Sequence, residues 1–114
     1  NLQYGDISED TKYMKENGIE VVDFPKVDYR QDLDDWLAIA AACDGIISIS
    51  TALVHFAGAI GQKVAIIMPE KQGPWILGLT DKQSIAYKNV RIYRREKGEE
   101  MSDLINRVAS IIIT

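Results

Sequence analysis

DGIISISTALVHFAGAIGQKVAIIMP, residues 44–69, decides the fold. Residues 45–50 are a short apolar run rich in β-branched side chains, as a parallel strand buried on both faces requires. Ser50 and Thr51 end it. Beyond them Leu53, Val54, Ala57 and Ile60 recur at intervals of three and four, the period of a helix with one buried face over residues 51–60. Gly61 stands where that helix stops. A second apolar run, residues 64–68, closes the unit at Pro69. Strand, turn, helix and strand make a right-handed βαβ crossover, whose ligand-facing surface is the carboxyl end of the first strand. That end is Ser50-Thr51. Ser50 is placed to cap the helix, the first helical N–H groups lack intrahelical partners, and small side chains at Thr51 and Ala52 permit close approach. Such a corner suits a phosphate. An ordinary capped helix is the plainer reading of the same residues.

Upstream, residues 1–4 read as the end of a strand whose beginning is absent, which suggests a domain excised from a larger protein, and Gly5-Asp6 is a turn. Asp6-x-x-Glu9 is a capping box for a helix running to about Asn17, with Gly18 as its stop. Residues 19–24 are a strand and 25–31 a loop. Asp32 caps the next helix, with Asp34 and Asp35 in its first turn and Trp36, Leu37, Ile39, Ala40, Ala41 and Cys43 on its buried side. Downstream, residues 70–89 hold Gly73-Pro74-Trp75 and Gly78 in a connection long enough to be functional. Residues 90–93 are a strand. Residues 99–114 are a closing helix with Met101, Leu104, Ile105, Val108, Ile111 and Ile112 on one stripe. This alternation predicts a single α/β domain over residues 1–114. Its sheet is Rossmann-like, doubly wound and parallel, with about five strands in three α/β/α layers. The strand order 2-1-3-4-5 places the Gln3-Tyr4-Gly5 turn beside the Ser50-Thr51 corner.

With 46% hydrophobic residues, 26% charged residues and a net charge of −4, the 114-residue chain is neither disordered nor a nucleic-acid-coating protein. Its cations are too dispersed for a duplex-binding face. The apolar runs fall short of a membrane span and no signal peptide is seen, so the cytoplasm is expected. Cys43, the single cysteine, reads as core. One histidine and no cysteine pair give no metal site, and no cofactor is expected. Asp34 and Asp35 are adjacent, point in different directions on a helix and complement its dipole rather than forming an acid–base pair.

Several spaced features occur together: the opening LQ-x-G of residues 2–5; Asp35 followed nine residues later by Asp44; IISIST at 46–51; and S-T-x-x-x-H-x-A-G-A-x-G at 50–61. Met68-Pro69, Trp75, Ser84, Tyr87 and RIYR at 91–94 continue the series. This pattern resembles the carboxyl-terminal domain of heptosyltransferase-like glycosyltransferases, including relatives fused to tetratricopeptide repeats. The resemblance implies GT-B architecture, in which two Rossmann-like domains flank the site and the second binds a nucleoside diphosphate sugar. It implies that the backbone N–H groups of Ser50, Thr51 and Ala52 hold the donor pyrophosphate and that His55 supports them. Gln3 and Tyr4 would line the opposite lip, and Trp75 with Tyr87 would cover the donor or acceptor.

Glycosyl transfer would run from the nucleoside diphosphate to an acceptor hydroxyl. The base that deprotonates the acceptor would come from the missing amino-terminal glycosyltransferase domain, so no catalytic residue is expected here and the isolated chain should be inactive. His55 also has a plainer reading, as a buried histidine satisfied by a backbone carbonyl, and Trp75 one as a loop anchor. Many relatives carry aspartate at the position of Ser50, lysine at that of Tyr4 and proline at that of Lys63. Relatives also carry tryptophan or arginine where this chain has Ile76, Leu77 and Ala86, and the lost lysine with this altered loop favours the alternative, a degenerate non-catalytic Rossmann-like module mediating protein interaction. A response-regulator-like or flavodoxin-like domain is disfavoured, because no acidic cluster ends the strand at 45–50 and no hydroxyl-rich phosphate loop follows the first turn. The run Ile111-Ile112-Ile113 is too continuous for a solvated helix end, so weak homodimerisation through this tail or the opening strand is expected.

Overall fold

The computed structural model describes residues 1–71, 73–78 and 82–112. Among the described residues the chain is mixed α/β, with four α-helices and one three-stranded parallel sheet. It divides into two compact units, Asn1–Ala42 and Cys43–Thr114.

The first unit contains helices α1, Ser8–Glu16, and α2, Leu33–Ala42. Asp6 acts one position earlier than a capping box would have it. Its Oδ1 accepts from the Ser8 backbone N–H at 3.0 Å and the Ser8 hydroxyl at 2.6 Å, while Ile7 occupies the cap position. Gly18, at φ +76°, ends α1 as expected: its N–H donates to the Lys15 carbonyl and that of Ile19 to Met14, the paired bonds of a left-handed helix stop. Asp32 stands just before α2, with its carboxylate turned away from the helix. Its Oδ2 turns back to accept from the Asp28 N–H at 3.0 Å, closing the preceding turn, while its carbonyl receives the Trp36 N–H. Trp36 and Ala40 are buried, Leu37, Ile39 and Cys43 half-buried, and Ala41, expected inside, is exposed. The Trp36 ring stacks on Tyr29 at 6.1 Å, its Nε1–H donates to the Leu2 carbonyl at 3.0 Å, and the Tyr29 hydroxyl donates to the Asn1 carbonyl at 2.8 Å.

Residues 1–4 and 19–24, expected as strands, form no ladder. A parallel strand needs apolar cover on both faces, and here Val22 is 61% exposed and Ile19 54%. The polar groups instead find local partners: the Asn1 amino group donates to the Val22 carbonyl and the Asn1 amide to Asp23.

The second unit holds β1, Ile46–Ser48; α3, Ala52–Ala59; β2, Val64–Met68; β3, Val90–Arg94; and α4, Met101–Ile112. The sheet runs β1-β2-β3, with Ile46 beside Val64 and Val64 beside Val90. Ile66, Met68, Val90 and Ile92 are buried in this sheet, and α3 packs on β2 through a face that buries Leu53, Val54 and Ala57. Leu104 and Val108 of α4 pack against Ala65, with Ile67 and Tyr93 beside them. The outer edge of β3 is bordered by residues 82–84: Ile92 N–H donates to Lys82 and Ser84 N–H to Val90. Only part of the expected α4 stripe is buried, since Met101, Ile105, Ile111 and Ile112 remain exposed. The expectation for Ile113 lies outside the described residues.

Candidate functional site

The βαβ corner forms from the residues that announced it, one position late. β1 ends at Ser48, and Thr51, not Ser50, is the cap residue of α3, in extended backbone at φ −133° and ψ 171°. Its hydroxyl makes no capping bond. The Ser48 hydroxyl donates to the Ile49 carbonyl at 2.8 Å, and the Thr51 hydroxyl lies 3.3 Å from that of Ser48. Among the described residues no side chain caps the start of α3, and Ser50 and Ala52 are exposed. An uncapped helix start presents N–H donors and the positive end of the helix dipole to whatever approaches. Gly61, at φ +81°, closes the other end, with its own N–H on Gly58 and that of Gln62 on Ala57.

His55 lies one turn into α3 and is half-buried. Its Nδ1 is 3.1 Å from the Tyr87 hydroxyl, and the two rings meet edge-on with centroids 5.7 Å apart. The partner is thus a phenol rather than the backbone carbonyl of the plainer reading. Gly58, three residues on and on the same helix face, lies under the Tyr87 ring: a Cβ there would stand 2.6 Å from Tyr87 Cγ. Ser84, buried, accepts the N–H groups of Ala86 and Tyr87 on its hydroxyl, and Asn89 Nδ2 donates to the Gln62 carbonyl. Gln62 Nε2 in turn donates to the Cys43 carbonyl at 2.6 Å. His55, Gly58, Ser84 and Tyr87 are therefore one packed clasp holding residues 84–89 onto α3. Residue reading missed the Tyr87–Gly58 contact, though the H-x-x-G spacing, which puts both residues on one helix face, was the signal available for it.

Trp75 opens a short 3-10 turn, Trp75–Leu77, in which Leu77 is the buried anchor and Trp75 is 75% exposed. The tryptophan is free of the anchoring role.

Gln3 and Tyr4 belong to the first unit, Ser50, Thr51, Ala52, His55 and Trp75 to the second. Gln3 and Tyr4 line a cleft of about 380 Å³ that Arg30 also enters. The Arg30 guanidinium lies 5.0 Å from the centre of the Tyr4 ring, a cation–π contact that places a positive charge over that ring. Asp6 faces the same cleft, its carboxyl held below the usual range by the Ser8 hydroxyl and then by the Ser8 N–H. Among the described residues no cluster of three histidine, cysteine or acidic side chains could hold a metal ion, and no helix is long and apolar enough to cross a membrane.

No family model matches the chain, and no solved structure matches it. Protein FlbA of Caulobacter vibrioides (strain ATCC 19089 / CIP 103742 / CB 15) is 40% identical to it over 68 residues. That match covers 59% of this chain and 11% of FlbA, so the chain spans a small part of the relative's length.

Proposed function

We propose that this chain is the donor-binding part of a glycosyltransferase of the heptosyltransferase-like class, taking up a nucleoside diphosphate sugar at the start of α3. The observation that carries the reading is the uncapped helix start beyond β1, with Thr51 turned away to Ser48 and small, exposed Ser50 and Ala52 beside it. A diphosphate supplies the acceptor oxygens those N–H groups lack. The clasp of His55, Gly58 and Tyr87 keeps that helix and residues 84–89 in fixed relation. Trp75 closes over the ligand, and an amino-terminal glycosyltransferase domain supplies the acceptor side and its base. The setting is cytoplasmic, and the exposed Ile111 and Ile112 give weak self-association when that domain is absent.

Titration with uridine diphosphate tests the site. The amide resonances of Thr51, Ala52 and Leu53 should shift more than those at the starts of α1, α2 and α4. Ala52→Pro is the informative variant, because Ala52 is the first helical residue, where proline is tolerated, whereas Thr51 has a φ that proline cannot adopt. Binding should weaken while the denaturation midpoint holds. Uniform shifts at millimolar ligand would leave the non-catalytic interaction module as the better reading.

A further inference from the structure

Although the chain carries a net charge of −4, five cations line one cavity of about 360 Å³ at the β3 edge, with Glu96 the one carboxylate among its described lining residues. They are Lys82, Arg91, Arg94, Arg95 and Arg107. Two are already engaged. Arg107 forks onto Glu99 through Nε and Nη2, each 2.9 Å, and donates to the Arg94 carbonyl, while Arg94 donates to the Gly78 carbonyl. Lys82, Arg91 and Arg95 form no ion pair among the described residues.

Their convergence follows from the fold. Arg91, Tyr93 and Arg95 alternate along β3 and its extension and so share one side of the strand. The antiparallel bridge of Gln83 to Arg91 brings Lys82 alongside, and α4 contributes Arg107 and Ile111. Glu96 and the Arg107-bound Glu99 offset part of this charge, but the five cations outnumber them; the remaining like charges repel one another, and a bound anion relieves that repulsion. Arginine forks match phosphoryl oxygens, and Tyr93 and Ile111 add an apolar floor.

We propose that this groove is a second anion site, which binds a small organic phosphate. Its phosphoryl group sits among Lys82, Arg91 and Arg95, and its organic part lies against Tyr93 and Ile111. A cavity of about 360 Å³ falls in the size range of small-molecule pockets, which favours the phosphate over an acidic peptide. The site shares no residue with the α3 corner and stands whether or not that corner binds a donor.

The test is titration of the ¹⁵N-labelled 114-residue chain with inorganic phosphate, adenosine monophosphate and a pentaglutamate peptide. Saturable shifts are expected at Arg91, Tyr93, Arg95 and Arg107, tighter for adenosine monophosphate than for phosphate and weakened by added salt. Joint replacement Arg91→Ala and Arg95→Ala should reduce affinity about tenfold with an unchanged denaturation midpoint. Absent shifts, unchanged affinity in the double variant, equal affinity for the two phosphates, or tighter binding of pentaglutamate would each overturn the proposal. The amides of Thr51 and Ala52 report on the α3 corner in the same spectra, so the two sites can fail separately.

Discussion

The two units use apolar residues in opposite ways. In Asn1–Ala42 the strand-like segment 19–24 leaves Ile19, Val22 and Phe24 exposed, α1 buries no residue, and order rests on Tyr29, Trp36 and their bonds to the carbonyls of Asn1 and Leu2. In Cys43–Thr114 the apolar runs meet in a ladder, and Val54, Ile66, Leu77, Val90 and Leu104 are fully buried. The same kind of run, β-branched and bounded by turn residues, became a strand only where a neighbouring strand and covering helices were available. Strand propensity describes fitness for a half-buried pleated surface, and the surface has to be present for it to act.

The largest expected effect sharpens this contrast. Ile66→Ala removes a fully buried side chain from the central strand and should cost about 2–5 kcal/mol in urea denaturation, whereas Val22→Ala should stay within about 0.5 kcal/mol. A Val22→Ala loss as large as that of Ile66→Ala would break the comparison and show that the segment at 19–24 is buried in solution.

Next comes Gly58→Ala. Alanine favours a helix over glycine by about 1 kcal/mol, yet its Cβ would stand 2.6 Å from Tyr87 Cγ, so the ring must leave. A net loss of about 1–2 kcal/mol is expected, with altered His55 and Tyr87 ring resonances. A stabilised variant with unchanged ring signals would show that the clasp does not hold residues 84–89.

What could be read from residues alone divides along similar lines. Helix stops were legible, because Gly18 and Gly61 act through their own backbone freedom, and both ends of the βαβ corner lie within one or two residues of expectation. Caps were less so: Asp6 and Asp32 are good cap residues whose carboxylates took the N–H groups of Ser8 and Asp28 in local turns, and the cap position of α3 fell to Thr51 rather than Ser50. The sheet was legible at 46–48, 64–68 and 90–94 and not at 1–4 or 19–24, where burial by distant residues was the missing information. In the candidate site, His55 and Tyr87 were marked singly. Their contact joins residues 32 positions apart, and no local period encodes such a contact. The basic groove escaped notice for the same reason: its cations look dispersed until the strand and the Lys82 segment are folded side by side.

A smaller effect tests what orders the first unit. Trp36→Phe keeps an aromatic ring beside Tyr29 but deletes the Nε1–H donor to Leu2, leaving that carbonyl to find water. About 1 kcal/mol of destabilisation is expected, with faster amide hydrogen exchange confined to residues near the first unit's start. Slowed or unchanged exchange there would mean that the bond does not hold residues 1–2 in place.

The smallest effect comes from acid, and it separates the units by the kind of partner each carboxylate has. Glu99 is held below the usual carboxylate range first by its bond to Arg107 and then by the Glu96 N–H, whereas Asp6 is lowered by the uncharged Ser8 hydroxyl and N–H. A carboxyl lowered in the folded state contributes stability above its unfolded value, and loses it as pH falls through the folded one. Arg107, itself raised by the Glu99 bond, stays charged throughout, so the change belongs to the carboxylate. The denaturation midpoint of the parent chain should therefore fall on acidification below the ordinary glutamate range. Glu99→Gln should flatten that fall more than Asp6→Asn does, because a guanidinium favours the charged form more strongly than neutral donors. Both groups lie near solvent, so screening by salt should shrink the Glu99 effect and leave the Asp6 effect nearly unchanged. Equal slopes for the two variants at every ionic strength would show that the Arg107 fork adds nothing to the second unit beyond an ordinary surface contact.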